Sequence, residues 1–259
     1  MAKLINIGSS SSGNSFVIED GGCQVVLDLG FKFNKFQKRY REITERYIGG
    51  LGIDCCLVTH RHKDHSRGCQ SFLENLADVF VPPTMKTDYR QRVANLGHST
   101  TTITEDVVFV PFEVIHKDLA KNMQGLERKE FGETMVKIEC YGYVIAFHKT
   151  NNIWLYMTDT AFLLPPLEKI NYAIIECNHD LELIAENSDL HIQRALESHL
   201  SVQDVCNILK SSDTTALRKL FLMHISESNL NIKKAKKMIK EHYKGEVIFC
   251  KKNGGFYEI

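Results

Sequence analysis

The segment 58–68, VTHRHKDHSRG, places three imidazoles and a carboxylate (His60, His62, Asp64 and His65) within six consecutive positions. Imidazole nitrogens and carboxylate oxygens without a thiolate suit zinc, manganese or iron. A chance cluster on a wet surface would need four specified polar residues to coincide. His60 and His62 stand two apart after an apolar, β-rich run, so their side chains leave on the same side and converge on one ion. Asp64 and His65 follow where the chain turns toward a helix expected over CQSFLENL, which aims them at a second ion. Four ligands in one loop do not close two coordination shells. Three further polar residues each end an apolar run: His116 after FEVI, Asp159 after IWLYMT and His224 after LFLM. Taken singly, each histidine reads as a half-buried core residue. Beside the loop, each reads as a ligand.

The elements that must position these residues follow from periodicity. Short apolar, β-branched runs read as strands: LINIGS, SFVIED, CQVVLDLG, IDCCLVTH, DVFVP, DVVFVPFEVIH, YGYVIAFH, NIWLYMTDT, YAIIECNHD, KLFLMHIS and VIFCKK through GFYEI. Phe33, Phe36, Tyr40, Ile43 and Tyr47 recur at helical steps, as do Ile232, Ala235, Ile239 and Tyr243. Ser201 and Asp204 form a capping box that opens another helix. Without repeats or linkers, residues 1–259 read as a single layered α/β domain. One charged, poorly periodic segment at about 117–137 is long for a connection and reads as an insertion.

Composition narrows the class. With 43% hydrophobic and 25% charged residues, the chain reads as an ordinary globular protein. Its formal net charge is zero, so any nucleic-acid partner must be held by a local patch. Two patches qualify: Lys35, Lys38, Arg39 and Arg41, and the run Lys233, Lys234, Lys236, Lys237 and Lys240. A solvated lysine face is the ordinary meaning of such runs. The second run begins soon after His224, which makes Lys233, Lys236 and Lys240 candidate phosphate contacts. The opening apolar run is too short for a signal peptide and no run reaches membrane-spanning length, so the expectation is cytoplasmic, with no membrane partner. Eight cysteines without Cys-x-x-Cys spacing read as buried, reduced thiols.

In the order His-x-His-x-Asp-His, then His, Asp and His at strand ends, the sequence resembles the metallo-β-lactamase-fold hydrolases over nearly its whole length. GSSSSGNS, Asp28 ending VVLDLG, ECNHD at 176–180, SHLSVQD at 198–204 and MHISESN at 223–229 resemble the YycJ-like branch, akin to the phosphodiesterase group of ribonuclease Z. The resemblance implies a four-layer αββα sandwich with two divalent metal ions, zinc or manganese, at one edge of the packed sheets. Carried over by position, His60, His62 and His116 would hold one ion, Asp64, His65 and His224 the other, and Asp159 would bridge them. Two ions about 3.5–4 Å apart would share a water nucleophile. Glu176 and His199 match a pair that could protonate the leaving oxygen, so the catalytic candidates are Asp64, Glu176 and His199. The competing role for that pair is structural, holding the ligand side chains in place.

The Ser-rich opening reads as a tight turn resembling a phosphate-cradling nest without the Lys-Ser/Thr ending of a nucleotide loop. It would floor the metal site, with Asn14 and Asp28 as supports, Asp28 orienting a ligand imidazole, and Ser11 and Ser12 as candidate substrate contacts. Two departures bear on the entrance: Lys117 intervenes between His116 and Asp118, where relatives have aspartate directly, and the segment that follows is long. The leading expectation is a phosphodiesterase acting on nucleic acid, a DNA exonuclease. The alternatives are a small-molecule phosphodiesterase opening cyclic nucleotides, and a non-catalytic nucleic-acid-binding or scaffold protein. An intact ligand set argues against the last.

Overall fold

The run YAIIE is apolar at almost every position, the pattern of a strand covered on both faces rather than one. The computed structural model describes residues 1–85, 101–119, 135–161, 167–184 and 196–259, and it builds two sheets from such runs. The first has the order β13-β1-β2-β3-β4-β5. Its strands are β1 (Lys3–Ser10), β2 (Gly13–Asp20), β3 (Cys23–Leu27), β4 (Cys55–Leu57), β5 (Val79–Phe80) and β13 (Gly255–Glu258). The second has the order β12-β11-β10-β9-β8-β7-β6. It contains β6 (Thr101–Thr104), β7 (Val107–Leu119), β8 (Met135–Phe147), β9 (Asn152–Met157), β10 (Tyr172–Glu176), β11 (Lys219–Met223) and β12 (Glu246–Phe249). Strands β3, β4 and β5 are mutually parallel, as are β9 to β12, so each set sends its C-terminal ends to one edge.

Alternation along the strands sorts side chains into layers. Leu4, Phe16, Ile18, Val25 and Leu27 of the first sheet meet Phe109, Tyr143, Trp154, Ile174 and Phe221 of the second in one buried cluster. The intervening residues, such as Ile5, Val17 and Val26, pack outward against Phe33, Phe36 and Tyr40 of α1 (Phe33–Thr44) and Phe72 of α3 (Cys69–Glu74), which follows α2 (Lys63–Ser66). On the far side, Leu155, Ala173, Ile175 and Leu220 pack against Val202, Val205 and Leu209 of α5 (Val202–Ser211) and Ala235 and Ile239 of α6 (Ile232–His242); the short α4 (Leu181–Ile184) precedes them. The layers are therefore helix, sheet, sheet, helix, the four-layer αββα sandwich expected.

Local expectations mostly hold, with instructive exceptions. Ser201 Oγ accepts from the Asp204 amide and the Asp204 carboxylate accepts from the Ser201 amide, completing the capping box. All eight cysteines are free and buried. Helix α1 ends before Tyr47, because Glu45 turns left-handed (φ 59°) and donates its N–H back to Arg41; Tyr47 is left 75% exposed. Ile232 likewise faces solvent. Strand β6, with the polar sequence TTIT, was not legible as a strand. Both ends of the segment at 117–137 belong to the sheet: Lys117 pairs with Lys137, and Leu119 with Met135. Its middle, 120–134, lies outside the described residues. Among the described residues no helix is long and apolar enough to cross a membrane.

A buried polar tie joins β2 of the first sheet to β9 of the second. Asp20 Oδ2 of β2 accepts from Asn152 Nδ2 and from Trp154 Nε1 of β9, each at 2.9 Å. Replacing Asp20 with alanine strands two buried donors, which costs about 2–4 kcal/mol, whereas Asp20→Asn keeps an acceptor and costs less. Thermal unfolding of the two variants checks this. A smaller loss in Asp20→Ala than in Asp20→Asn would remove Asp20 as the tie.

Candidate metal centre

The parallel strands deliver the candidate residues to one edge. Asp28 follows β3, His60 follows β4, Asp159 follows β9, Glu176 ends β10 and His224 follows β11. His116 comes from β7, paired with Ile138 of β8. The sheets are joined where the histidine loop emerges: His60 makes an isolated antiparallel bridge with Cys140, and the Tyr141 N–H donates to the Thr59 carbonyl at 2.9 Å. His62 sits at the N-cap of α2, whose first turn carries Asp64 and His65. Gly30 is required beneath that turn, since a side chain there would strike the Asp64 carbonyl oxygen at 2.0 Å.

Asp28, Asp159 and His224 all have left-handed backbones, with φ of 56°, 49° and 54°. Non-glycine residues adopt this region at a cost of order 1–3 kcal/mol, and such residues cluster at functional sites. His224 is clamped in it: its N–H donates to Ser9 Oγ and its carbonyl accepts from Asn178 Nδ2, both at 2.9 Å.

His60 Nε2 and His116 Nε2 lie 3.0 and 3.3 Å from His62 Nδ1, so three imidazole nitrogens converge on one point. Beside them, His65 Nε2 lies 2.7 Å from Asp159 Oδ2 and 3.4 Å from Asp64 Oδ2. Donor atoms of His60, His62 and His116 fall within 4.8 Å of one another, as do those of Asp64, His65 and His224. A third such group, His60, His65 and Asp159, puts the aspartate between the two sets. Asp159 Oδ1, buried and without a hydrogen bond, lies 3.1 Å from His199 Nδ1 and 3.2 Å from His224 Nδ1. The donor sets have the chemistry to hold divalent metal ions.

The supports are equally well defined. Asp28 is fully buried; it accepts from His65 Nδ1 (2.7 Å), from Thr59 N (2.8 Å) and Oγ1 (2.9 Å), and from Tyr156 OH (2.6 Å). Asn14 Nδ2 contacts Asp64 Oδ2 at 3.2 Å and His65 Nε2 at 3.0 Å. Glu176 Oε1 accepts from both His199 Nδ1 (2.6 Å) and His224 Nδ1 (2.7 Å). The pair read from the sequence is thus a triad, with Glu176 also orienting a candidate ligand. Lys117 holds the same region: its ammonium pairs with Glu197 at 3.4 Å and its carbonyl accepts from Ser198 Oγ.

Electrostatics follow from this packing. Burial and the neighbouring imidazoles lower the His60 pKa well below the usual range, which favours the neutral ligand form. Burial opposes a charge on His199, but the Glu176 and Asp159 carboxylates outweigh it and raise its pKa to about 10. The same contest, won by carboxylates, raises His65 and His224. Burial would raise Asp159, yet His224, His65 and His199 hold it well below the carboxylate range, and Glu176 and Asp64 are lowered likewise by their imidazole neighbours.

Ser11 and Ser12 are exposed at the tip of the β1–β2 turn, and the Ser12 carbonyl accepts from Arg67 Nη1 at 3.4 Å. Lys233 and Lys236 are exposed on α6, whereas Lys240 donates to the carbonyls of Lys244 and Gly245. Sequence reasoning missed Thr59, Tyr156 and Asn178, and read Ser9 only as one of the serines flooring the site. Thr59 and Asn178 are polar residues inside recognisable strand-end motifs, a usable signal; the Tyr156 hydroxyl is hidden in an apolar run.

The family model described as the beta-lactamase superfamily domain matches residues 24–225, and the chain belongs to this family. It is 23% identical over 239 residues, 89% of this chain and 84% of the relative, to the exodeoxyribonuclease WalJ of Streptococcus pneumoniae serotype 2 (strain D39 / NCTC 7466). Among solved structures, the metallo-β-lactamase fold protein YhfI of Bacillus subtilis superposes with a TM-score of 0.68 at 15% identity, covering 100% of this chain and 99% of its own. Human tRNase Z, short form, superposes with a TM-score of 0.63 at 13% identity, with 99% of each chain covered.

The His224 clamp yields a prediction. Ser9→Ala and Asn178→Ala each remove one hold on a strained backbone, and loss of such outer support weakens metal affinity by about 10–100-fold. Competition titration of zinc against a chromophoric chelator measures it. Wild-type affinity in both variants would show that His224 is held by other contacts.

Proposed function

We propose that the chain is a binuclear metal-dependent phosphodiesterase acting on nucleic acid, and specifically a DNA exonuclease. The observation that carries the reading is the pair of three-residue donor sets on either side of Asp159, with the buried Glu176 carboxylate next to them. His60, His62 and His116 would hold one zinc or manganese ion, Asp64, His65 and His224 the other, and Asp159 both. Ions held there would supply activation of a water and stabilisation of the attacked phosphate's oxygens.

The chain's own groups supply the rest. His199 is 15% exposed at its side chain and hydrogen-bonds Glu176 through Nδ1, which leaves Nε2 to deliver a proton to the leaving oxygen. Glu176 is fully buried, fixes the ring and keeps it charged. Asp28 sets the tautomer of His65 by accepting a hydrogen bond from its Nδ1–H, so that Nε2 points into the site. The similarity to WalJ supports phosphodiester chemistry on DNA.

Elemental analysis of protein loaded with zinc or manganese is expected to give two ions per chain; a stoichiometry near zero contradicts the assignment. Asp159→Ala removes the carboxylate shared by both ions and is expected to lose metal and turnover together. Retention of both ions and full turnover places the bridge elsewhere.

His199→Ala is expected to keep both ions while slowing hydrolysis of end-labelled DNA by about 10²–10⁴-fold, the loss typical of a general acid. Glu176→Gln, which touches His224 as well, is expected to slow hydrolysis and also weaken metal binding, and the double variant to be no worse than Glu176→Gln alone. Additive losses, or metal loss in His199→Ala, return His199 to a structural role. Cleavage of cyclic nucleotides with DNA untouched contradicts the nuclease reading.

A further inference from the structure

The basic run of α1 divides in the folded chain. Lys38 turns to Glu42 along the helix (3.9 Å), and Arg41 lines a hollow with Glu42, Glu45 and Tyr47, so both lie among carboxylates. Lys35 and Arg39 instead turn to the Ser-rich turn. The Lys35 ammonium lies 5.1 Å from the centroid of the Phe31 ring and the Arg39 guanidinium 4.6 Å from it, within cation–π range. Arg39 Nη1 also donates to the Ile7 carbonyl at 2.8 Å, which fixes the guanidinium against β1. Gly8 makes this approach feasible, since a side chain there would meet Arg39 Nη1 at 2.7 Å and the Phe31 ring at 2.8 Å. Arg67, from the far side, reaches the Ser12 carbonyl. Three cations from two elements therefore surround the turn at Ser10–Gly13.

That turn is joined to the metal centre at both ends. Ser9, on one side, takes the His224 N–H, and Asn14, on the other, contacts Asp64 and His65. Among the described residues, ion pairs of the two basic runs fall on Lys38 and Lys234, and none falls on Lys35, Arg39 or Arg67. Lys35, Arg67, Ser11 and Ser12 are exposed, so the surface is an open track rather than a pocket for a small anion. Helix α6 is the poorer rival: Lys234 is neutralised by Asp180 and Glu182, and Lys240 is spent on carbonyls at the end of its own helix.

We propose that Lys35, Arg39 and Arg67, around the Ser10–Gly13 turn, bind the backbone phosphates of a single polynucleotide strand that leads into the metal centre. This rests on the nucleic-acid reading of that centre. A charged groove that tracks the backbone is the electrostatic part of sequence-independent single-strand binding.

The test is fluorescence anisotropy of a labelled, cleavage-resistant phosphorothioate oligodeoxynucleotide with metal-loaded protein across a range of salt. Lys35→Glu combined with Arg67→Glu is expected to weaken binding by more than tenfold. Two lost phosphate contacts reduce the slope of log affinity against log salt by about 1.4, at about 0.7 per contact on a single strand. Lys233→Glu combined with Lys236→Glu carries the same charge change and is expected to shift affinity less than about threefold, as an off-track control. An equal or larger loss in the α6 pair, or no loss in the track pair, overturns the proposal. Should the glutamate pair fail to fold, Lys35→Gln with Arg67→Gln tests the same contacts, with a smaller loss in the same direction expected and no loss overturning the track. A track that binds in a wild-type protein that cuts neither DNA nor a small phosphodiester sustains this proposal and sinks the phosphodiesterase reading instead.

Discussion

A carboxylate buried among imidazoles sets the terms for this molecule. Asp159 is almost fully excluded from water, yet its neighbours keep it charged: His65 on one oxygen, His199 and His224 beside the other. Burying a charge is unfavourable unless it is closely compensated, and removing one partner of such a group costs about 3–5 kcal/mol. The compensating groups arrive from both sheets, His65 from the first and His224 from the second, so the sandwich and the centre depend on the same contacts. The position is structurally expensive unless something uses the charge, and bound divalent cations would.

The parallel strands make this arrangement possible. Their C-terminal ends lie side by side, so β9, β10 and β11 present Asp159, Glu176 and His224 as neighbours separated by one strand spacing each. Beyond its last ladder bond the chain must turn sharply, and at Asp159 and His224 it turns left-handed at a residue with a side chain. Cross-sheet bonds hold these turns. Ser9 from β1 takes the His224 amide, and Tyr156 from β9 reaches Asp28 in the opposite sheet. The inter-sheet core and the polar edge therefore resist distortion together.

Ligand type was legible because it needs only local information: a histidine loop after an apolar run, and lone polar residues where later runs end. Layering was legible because many short apolar runs are interspersed with helical patterns, and the αββα order followed from the family resemblance. The left-handed turns at Asp28, Asp159 and His224 were not, since aspartate and histidine tolerate that region without requiring it and tertiary bonds fix it here. Nor was the double role of Glu176, which depends on β10 and β11 being adjacent in register. Tyr47 misled because the apolar step continued one turn beyond the point at which Glu45 stops the helix. The ends of the segment at 117–137 misled in the opposite sense: charged residues on a long strand pair lack the apolar alternation that marks a covered sheet.

The measurement that tests the account most directly is anomalous X-ray diffraction from crystals of zinc-loaded protein. The account predicts two peaks about 3.5–4 Å apart, one among His60, His62 and His116 and one among Asp64, His65 and His224, with the Asp159 carboxylate touching both. A single peak, or ions held away from Asp159, would contradict it.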